Sequence, residues 1–66
     1  MLKEQVGEYA GKIWEALDIK SPMTRKEIKK AAKLNDKTFF MGLGWLLRED
    51  KVETNESEKD IIISLK

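Results

Sequence analysis

The sequence contains no cysteine and no histidine among its 66 residues. The first absence removes disulfide staples and thiolate metal sites. The second removes the usual general base at neutral pH and the commonest zinc ligand. Proline occurs once, at Pro22. No apolar run approaches the roughly 18 residues that a membrane-spanning helix needs. Met1-Leu2-Lys3-Glu4 does not begin a basic-then-apolar export signal. A soluble, cytoplasmic protein with no membrane partner is the expectation. The three serines, Ser21, Ser57 and Ser64, fall in or beside turns and strands with no base in view. Glu49 and Asp50 are adjacent, so on a helix they diverge. No glycine-rich phosphate loop follows a strand, because Gly42 and Gly44 lie inside a helical pattern. No enzyme, cofactor, metal or small-molecule ligand is therefore expected.

What is present is a short chain with its charge laid out in blocks. Sixty-six residues make one domain, 1–66, near the lower limit for a self-sufficient core. With no disulfide or metal available, self-association is the remaining source of extra stability. The net charge is only +1. Residues 1–19 set Lys3 and Lys12 against Glu4, Glu8, Glu15 and Asp18, a net of −2. Residues 20–37 carry Lys20, Arg25, Lys26, Lys29, Lys30, Lys33 and Lys37 against Glu27 and Asp36, a net of +5. Residues 48–60 set Arg48, Lys51 and Lys59 against Glu49, Asp50, Glu53, Glu56, Glu58 and Asp60, a net of −3. A basic middle between acidic flanks says more than the total.

Residues 3–18 fit an amphipathic helix whose buried stripe is Leu2, Val6, Tyr9, Ile13 and Leu17. Gly7, Gly11 and Trp14 form a second stripe, with Ala10 between the two. Two glycines four apart in a helix imply a close approach to its backbone, since each costs about 1 kcal/mol relative to alanine. The visitor is either helix three of the same chain, with Trp14 filling the remaining space, or a second copy of the protein. Lys20-Ser21-Pro22 ends the helix, and Met23 sits where a strand of one or two residues can pair with a later hairpin. Thr24-Arg25-Lys26-Glu27 is a capping box. It opens a helix of about 24–32 that turns Ile28, Ala31 and Ala32 inward. Leu34 plugs the following turn, and Asn35 or Asp36 caps a third helix running to Arg48. There Phe39, Leu43 and Leu46 form the core face, Phe40 and Leu47 widen it on one flank, and Gly42 lies on the other. Lys37, Met41, Gly44 and Arg48 form the outer row, with Trp45 beside it. Lys51-Val52-Glu53-Thr54 then alternates as a strand with Val52 inward, 55–59 is a polar turn, and 60–65 is a second strand with Ile61, Ile63 and Leu65 on one face.

The order helix, short strand, helix, turn, helix, hairpin covers the whole chain, and it resembles the winged helix-turn-helix superfamily. More narrowly, two strings resemble a group of small, uncharacterised bacterial and archaeal winged-helix proteins. One is Val6-Gly7-Glu8-Tyr9-Ala10-Gly11-Lys12-Ile13-Trp14; the other is Met41-Gly42-Leu43-Gly44-Trp45-Leu46-Leu47-Arg48-Glu49-Asp50-Lys51-Val52. The resemblance implies an α+β winged helix-turn-helix: a three-helix core, a C-terminal β-hairpin wing and a very short strand between helices one and two. DNA binding follows only by analogy of fold.

Two functions are then weighed. For double-stranded DNA, Arg25, Lys26, Lys29, Lys30, Lys33 and Lys37 supply phosphate contacts, and Thr24 and Asn35 add neutral ones. Helix three would lie in the major groove, offering Lys37, Met41, Gly44 and Arg48 to the bases. That row is poor in base-reading side chains, and a wing bearing Glu53, Glu56 and Glu58 repels phosphate. A row of lysines is also what an ordinary solvated helix face looks like. The alternative is a protein-interaction or dimerisation module without DNA binding, its homodimer interface at Gly7, Gly11, Trp14 and Trp45. The same tryptophans would equally serve as core in a short chain. The two functions are compatible.

Overall fold

The computed structural model describes the backbone of residues 2–66 and the side chains from Glu4 onward. Six elements follow in order: α1 (Leu2–Ile19), β1 (Met23–Thr24), α2 (Arg25–Ala32), α3 (Asp36–Arg48), β2 (Val52–Glu56) and β3 (Ile61–Leu65). The sheet is antiparallel, with β3 between β1 and β2. Met23 pairs with Ile63, and Thr54 meets the same residue from the other side. The expected short strand is therefore real, and it anchors the start of α2 to the hairpin.

The core is apolar throughout. Ile13, Leu17, Ile28, Phe39 and Ile63 are completely buried, joined by Ala10, Met23, Leu43, Leu46 and Val52. Each element thus contributes to one cluster, and no polar side chain is buried in it among the described residues. Leu34 packs against the cluster as the plug of the turn. Of the stripe expected on α1, Ile13 and Leu17 are buried and Val6 and Tyr9 half-buried, while the side chain of Leu2 lies outside the described residues.

Both later helices start on reciprocal caps. In α2 the Glu27 N–H donates to Thr24 Oγ1 at 3.2 Å, and the Thr24 N–H donates to Glu27 Oε1 at 3.1 Å. In α3 the Thr38 N–H donates to Asn35 Oδ1 at 2.8 Å, and the Asn35 N–H donates to Thr38 Oγ1 at 3.1 Å. Asn35, not Asp36, is the cap. Both helices end on a left-handed residue, Lys33 (φ 57) and Asp50 (φ 58). Behind each, an amide reaches back five residues, Leu34 to Lys29 and Lys51 to Leu46. These are Schellman closures made without glycine.

Three expectations need correction. Ala31 is exposed and Ala32 only half-buried, so Ile28 is the single residue α2 buries fully. Both alanines instead line a cleft between α2 and α1 that includes Ala16 and Ile19. Phe40 and Leu47 do not widen the core: each is 44% exposed, because Phe39, Leu43 and Leu46 already fill the inner face. And helix three does not approach the glycines of α1. A Cβ at Gly7 or Gly11 meets nothing within 4 Å. The close approach is at Gly42, where a Cβ would lie 2.8 Å from the backbone of both Tyr9 and Ala10. Beyond the expected end of the strand at Thr54, β2 continues to Glu56, and β3 begins at Ile61, leaving a tight turn whose Ser57 Oγ donates to the Asp60 carbonyl at 2.7 Å.

Candidate nucleic-acid interface

The residues that start α2 and α3 are tied to the wing by one carboxylate network. Arg25 Nε donates to Asp60 Oδ1 at 2.9 Å, and its Nη1 donates to Asp36 Oδ1 at 2.8 Å. Lys29 Nζ meets the same Asp36 oxygen at 2.6 Å. Asp60 also accepts the Lys26 N–H at 3.1 Å and its neighbour Ile61's N–H at 2.8 Å. Its side chain is 7% exposed. The Arg25 hydrogen bond, helped by those two amides, holds the Asp60 carboxyl down at about 2 against the desolvation that opposes it. Asp36 is lowered too, chiefly by the hydrogen bond from Lys29. Asp60 therefore fixes the wing to the first turn of α2, and Arg25 relays that fixation to the first turn of α3.

This network divides the basic residues expected to face DNA. Arg25 and Lys29 are committed to carboxylates. Lys26, Lys30, Lys33 and Lys37 are exposed, and none has an ion-pair partner among the described residues. Lys26 and Lys30, at i and i+4, share one face of α2, Lys33 is the left-handed residue that ends it, and Lys37 lies in the first turn of α3. Thr24 and Asn35 are occupied as caps, which leaves their hydroxyl and amide less available to a phosphate.

On α3, Met41 is half-buried, while Gly44 and Arg48 are exposed. A Cβ at Gly44 would meet nothing within 4 Å. Beside this row stand Phe40 and Leu47, which sequence reasoning assigned to the core because they are large and apolar. Their spacing of seven, one turn-pair along a flank that Leu43 already completes, was the available signal. The Phe40 ring meets Phe39 edge-on, centroids 5.1 Å apart. It also walls a cleft of about 290 Å³ against Arg25 and the wing residues Glu56 to Ile61. The wing itself is acidic, with Glu53, Glu56 and Glu58 all exposed. Elsewhere, Gly7, Gly11, Trp14 and Trp45 come together along one groove of about 340 Å³ between α1 and the end of α3. Among the described residues, no helix is long and apolar enough to cross a membrane, and no cluster of acidic side chains could hold a metal ion.

Three helices, a β1–β3–β2 sheet and a hairpin locked beside the third helix define a winged helix-turn-helix domain. The chain belongs to the winged helix-turn-helix domain family DUF2582, whose model matches residues 1–65. It is similar to the uncharacterised protein MJ1608 of Methanocaldococcus jannaschii, 36% identical over 64 residues that span 94% of this chain and 91% of that one. Among solved structures it is similar to the solution NMR structure of protein BT2368 from Bacteroides thetaiotaomicron. That likeness has a TM-score of 0.87 at 32% identity, covering 98% of this chain and 79% of the other.

Proposed function

We propose that this domain binds double-stranded DNA through α2, the turn and the start of α3, with affinity carried by phosphate contacts and little discrimination among bases. The observation that carries the reading is the sorting of charge by the Arg25 network. Asp36 and Asp60 are paired with Arg25 and Lys29, and Glu27 on α2 is paired with Lys20. Lys26, Lys30, Lys33 and Lys37 are left uncompensated. Gly44 supports the same reading, since a residue without a side chain lets the centre of α3 approach a groove floor. Met41 and Gly44 offer no bidentate hydrogen bonds, so base selection is weak by construction.

The test is a fluorescence-anisotropy titration of mixed-sequence duplex DNA at several salt concentrations. Four phosphate contacts predict a slope of log K against log salt of about −3.6. Replacing Lys30 or Lys33 with glutamine should reduce that slope by about 1 and weaken all sequences alike. No binding at low salt removes the proposal. The second reading, a protein-interaction module, is favoured by Phe40 and Leu47, each 44% exposed beside the acidic wing. Under it, duplex DNA is not bound even at low salt, and Phe40→Ala and Leu47→Ala would abolish partner binding.

A further inference from the structure

The groove between α1 and the end of α3 has three features that one chain does not explain. Trp14 on its wall is 40% exposed. Gly7 and Gly11 stand in the interior of an 18-residue helix, where glycine is disfavoured relative to alanine, yet a Cβ at either would meet no atom of the described residues within 4 Å. The two walls also carry opposite charges. Glu15 lines the α1 side and Lys51 the side beyond α3, and neither has an ion-pair partner among the described residues.

We propose that this groove is a homodimer interface, occupied by a second copy of the chain related by a two-fold axis running along it. Closed dimers use one patch twice, so the patch must complement itself. An axis along the groove exchanges its walls, setting Glu15 of each copy against Lys51 of the other and Trp14 against Trp45. An axis across the groove would instead oppose Glu15 to Glu15. The charges therefore select both the occupant and the orientation. With bare backbone at Gly7 and Gly11, the second copy can approach α1 closely and cover Trp14 and Trp45, a residue type that interfaces favour. The groove shares no residue with the lysine row, so both surfaces can be used at once.

Sedimentation equilibrium tests this with the full chain. The wild type should dimerise. Gly11→Leu, whose Cβ has open space in its own chain, should dissociate the dimer while circular dichroism stays native. Glu15→Lys and Lys51→Glu should each weaken dimerisation by about tenfold, since each change turns two symmetric attractions into repulsions. The double swap should restore it to within about threefold. A wild type still monomeric at about 1 mM overturns the proposal, as does a Gly11→Leu variant of unchanged mass. Single swaps without effect, or a double swap that fails to recover, overturn the assigned pairing and with it the two-fold.

Discussion

Glycine is the residue whose cost is easiest to state and whose reason is hardest to see. Gly42 and Gly44 are two positions apart in α3, and each gives up about 1 kcal/mol of helix propensity. Their surroundings are opposite. At Gly42 a Cβ would intrude on backbone atoms of Tyr9 and Ala10 at 2.8 Å and on Ile13 Cδ1 at 2.9 Å, atoms that cannot move aside without shifting α1. Gly42→Ala should therefore cost about 1–3 kcal/mol net, as over-packed cores do. Gly44→Ala meets open space and should stabilise the isolated domain by about 0.5–1 kcal/mol. Urea unfolding of the two variants checks both signs. A Gly42→Ala protein as stable as the wild type would mean that α1 and α3 are not packed at this distance.

At the scale of elements, the joint between wing and helices rests on Asp60. Its folded carboxyl is held at about 2, below the ordinary 3.8, by Arg25 and two backbone amides. A depressed carboxylate contributes stability that is fully present above its unfolded value and is lost as pH falls through the folded one. Asp36 and Glu27 are lowered as well, so their contributions fade in the same direction. The thermal midpoint should then fall between about pH 4 and pH 2. Asp60→Asn should lower the midpoint at neutral pH and flatten that acid limb. A wild-type midpoint constant across the range would contradict this account of the joint.

The elements themselves were legible because local signals and burial agree. Thr24-Arg25-Lys26-Glu27 reads as a capping box whatever surrounds it. The switch of period after Asp50 announces strands, and Phe39, Leu43 and Leu46 have no other place to go. The joint was not legible, because Arg25 and Asp60 are 35 residues apart and a sequence read locally shows only a basic helix and a polar turn. The same holds for Phe40, Leu47 and Ala31. Periodicity says which residues share a face, while the width of the face that gets covered depends on the neighbours. Likewise the glycine pair of α1 marked a place that can be approached, but only the packing shows that α3 approaches elsewhere, at its own Gly42.

At the scale of the whole molecule, charge is the property that tests the proposed contact with DNA. The Arg25 network sets two cations, Arg25 and Lys29, against two acids, Asp36 and Asp60, so the uncompensated positive charge of α2, the turn and the start of α3 rests on Lys26, Lys30, Lys33 and Lys37. The wing is the reverse: Glu53, Glu56 and Glu58 are exposed, with Lys59 in the turn and Lys66 near Glu53. If a duplex is held by the lysine row with the wing along it, these acids repel its phosphates at low salt, where screening is weak. Replacing all three with glutamine should raise affinity for every sequence by roughly tenfold at low salt. The gain should shrink as salt increases, and the unfolding midpoint should stay put, because none of the three holds the fold together. A titration of the triple variant against the wild type decides the matter. An affinity that rises as expected places the wing along the phosphate backbone. An unchanged affinity with the lysine-dependent slope intact places the wing off the DNA, and α2 with the start of α3 would then carry the contact alone.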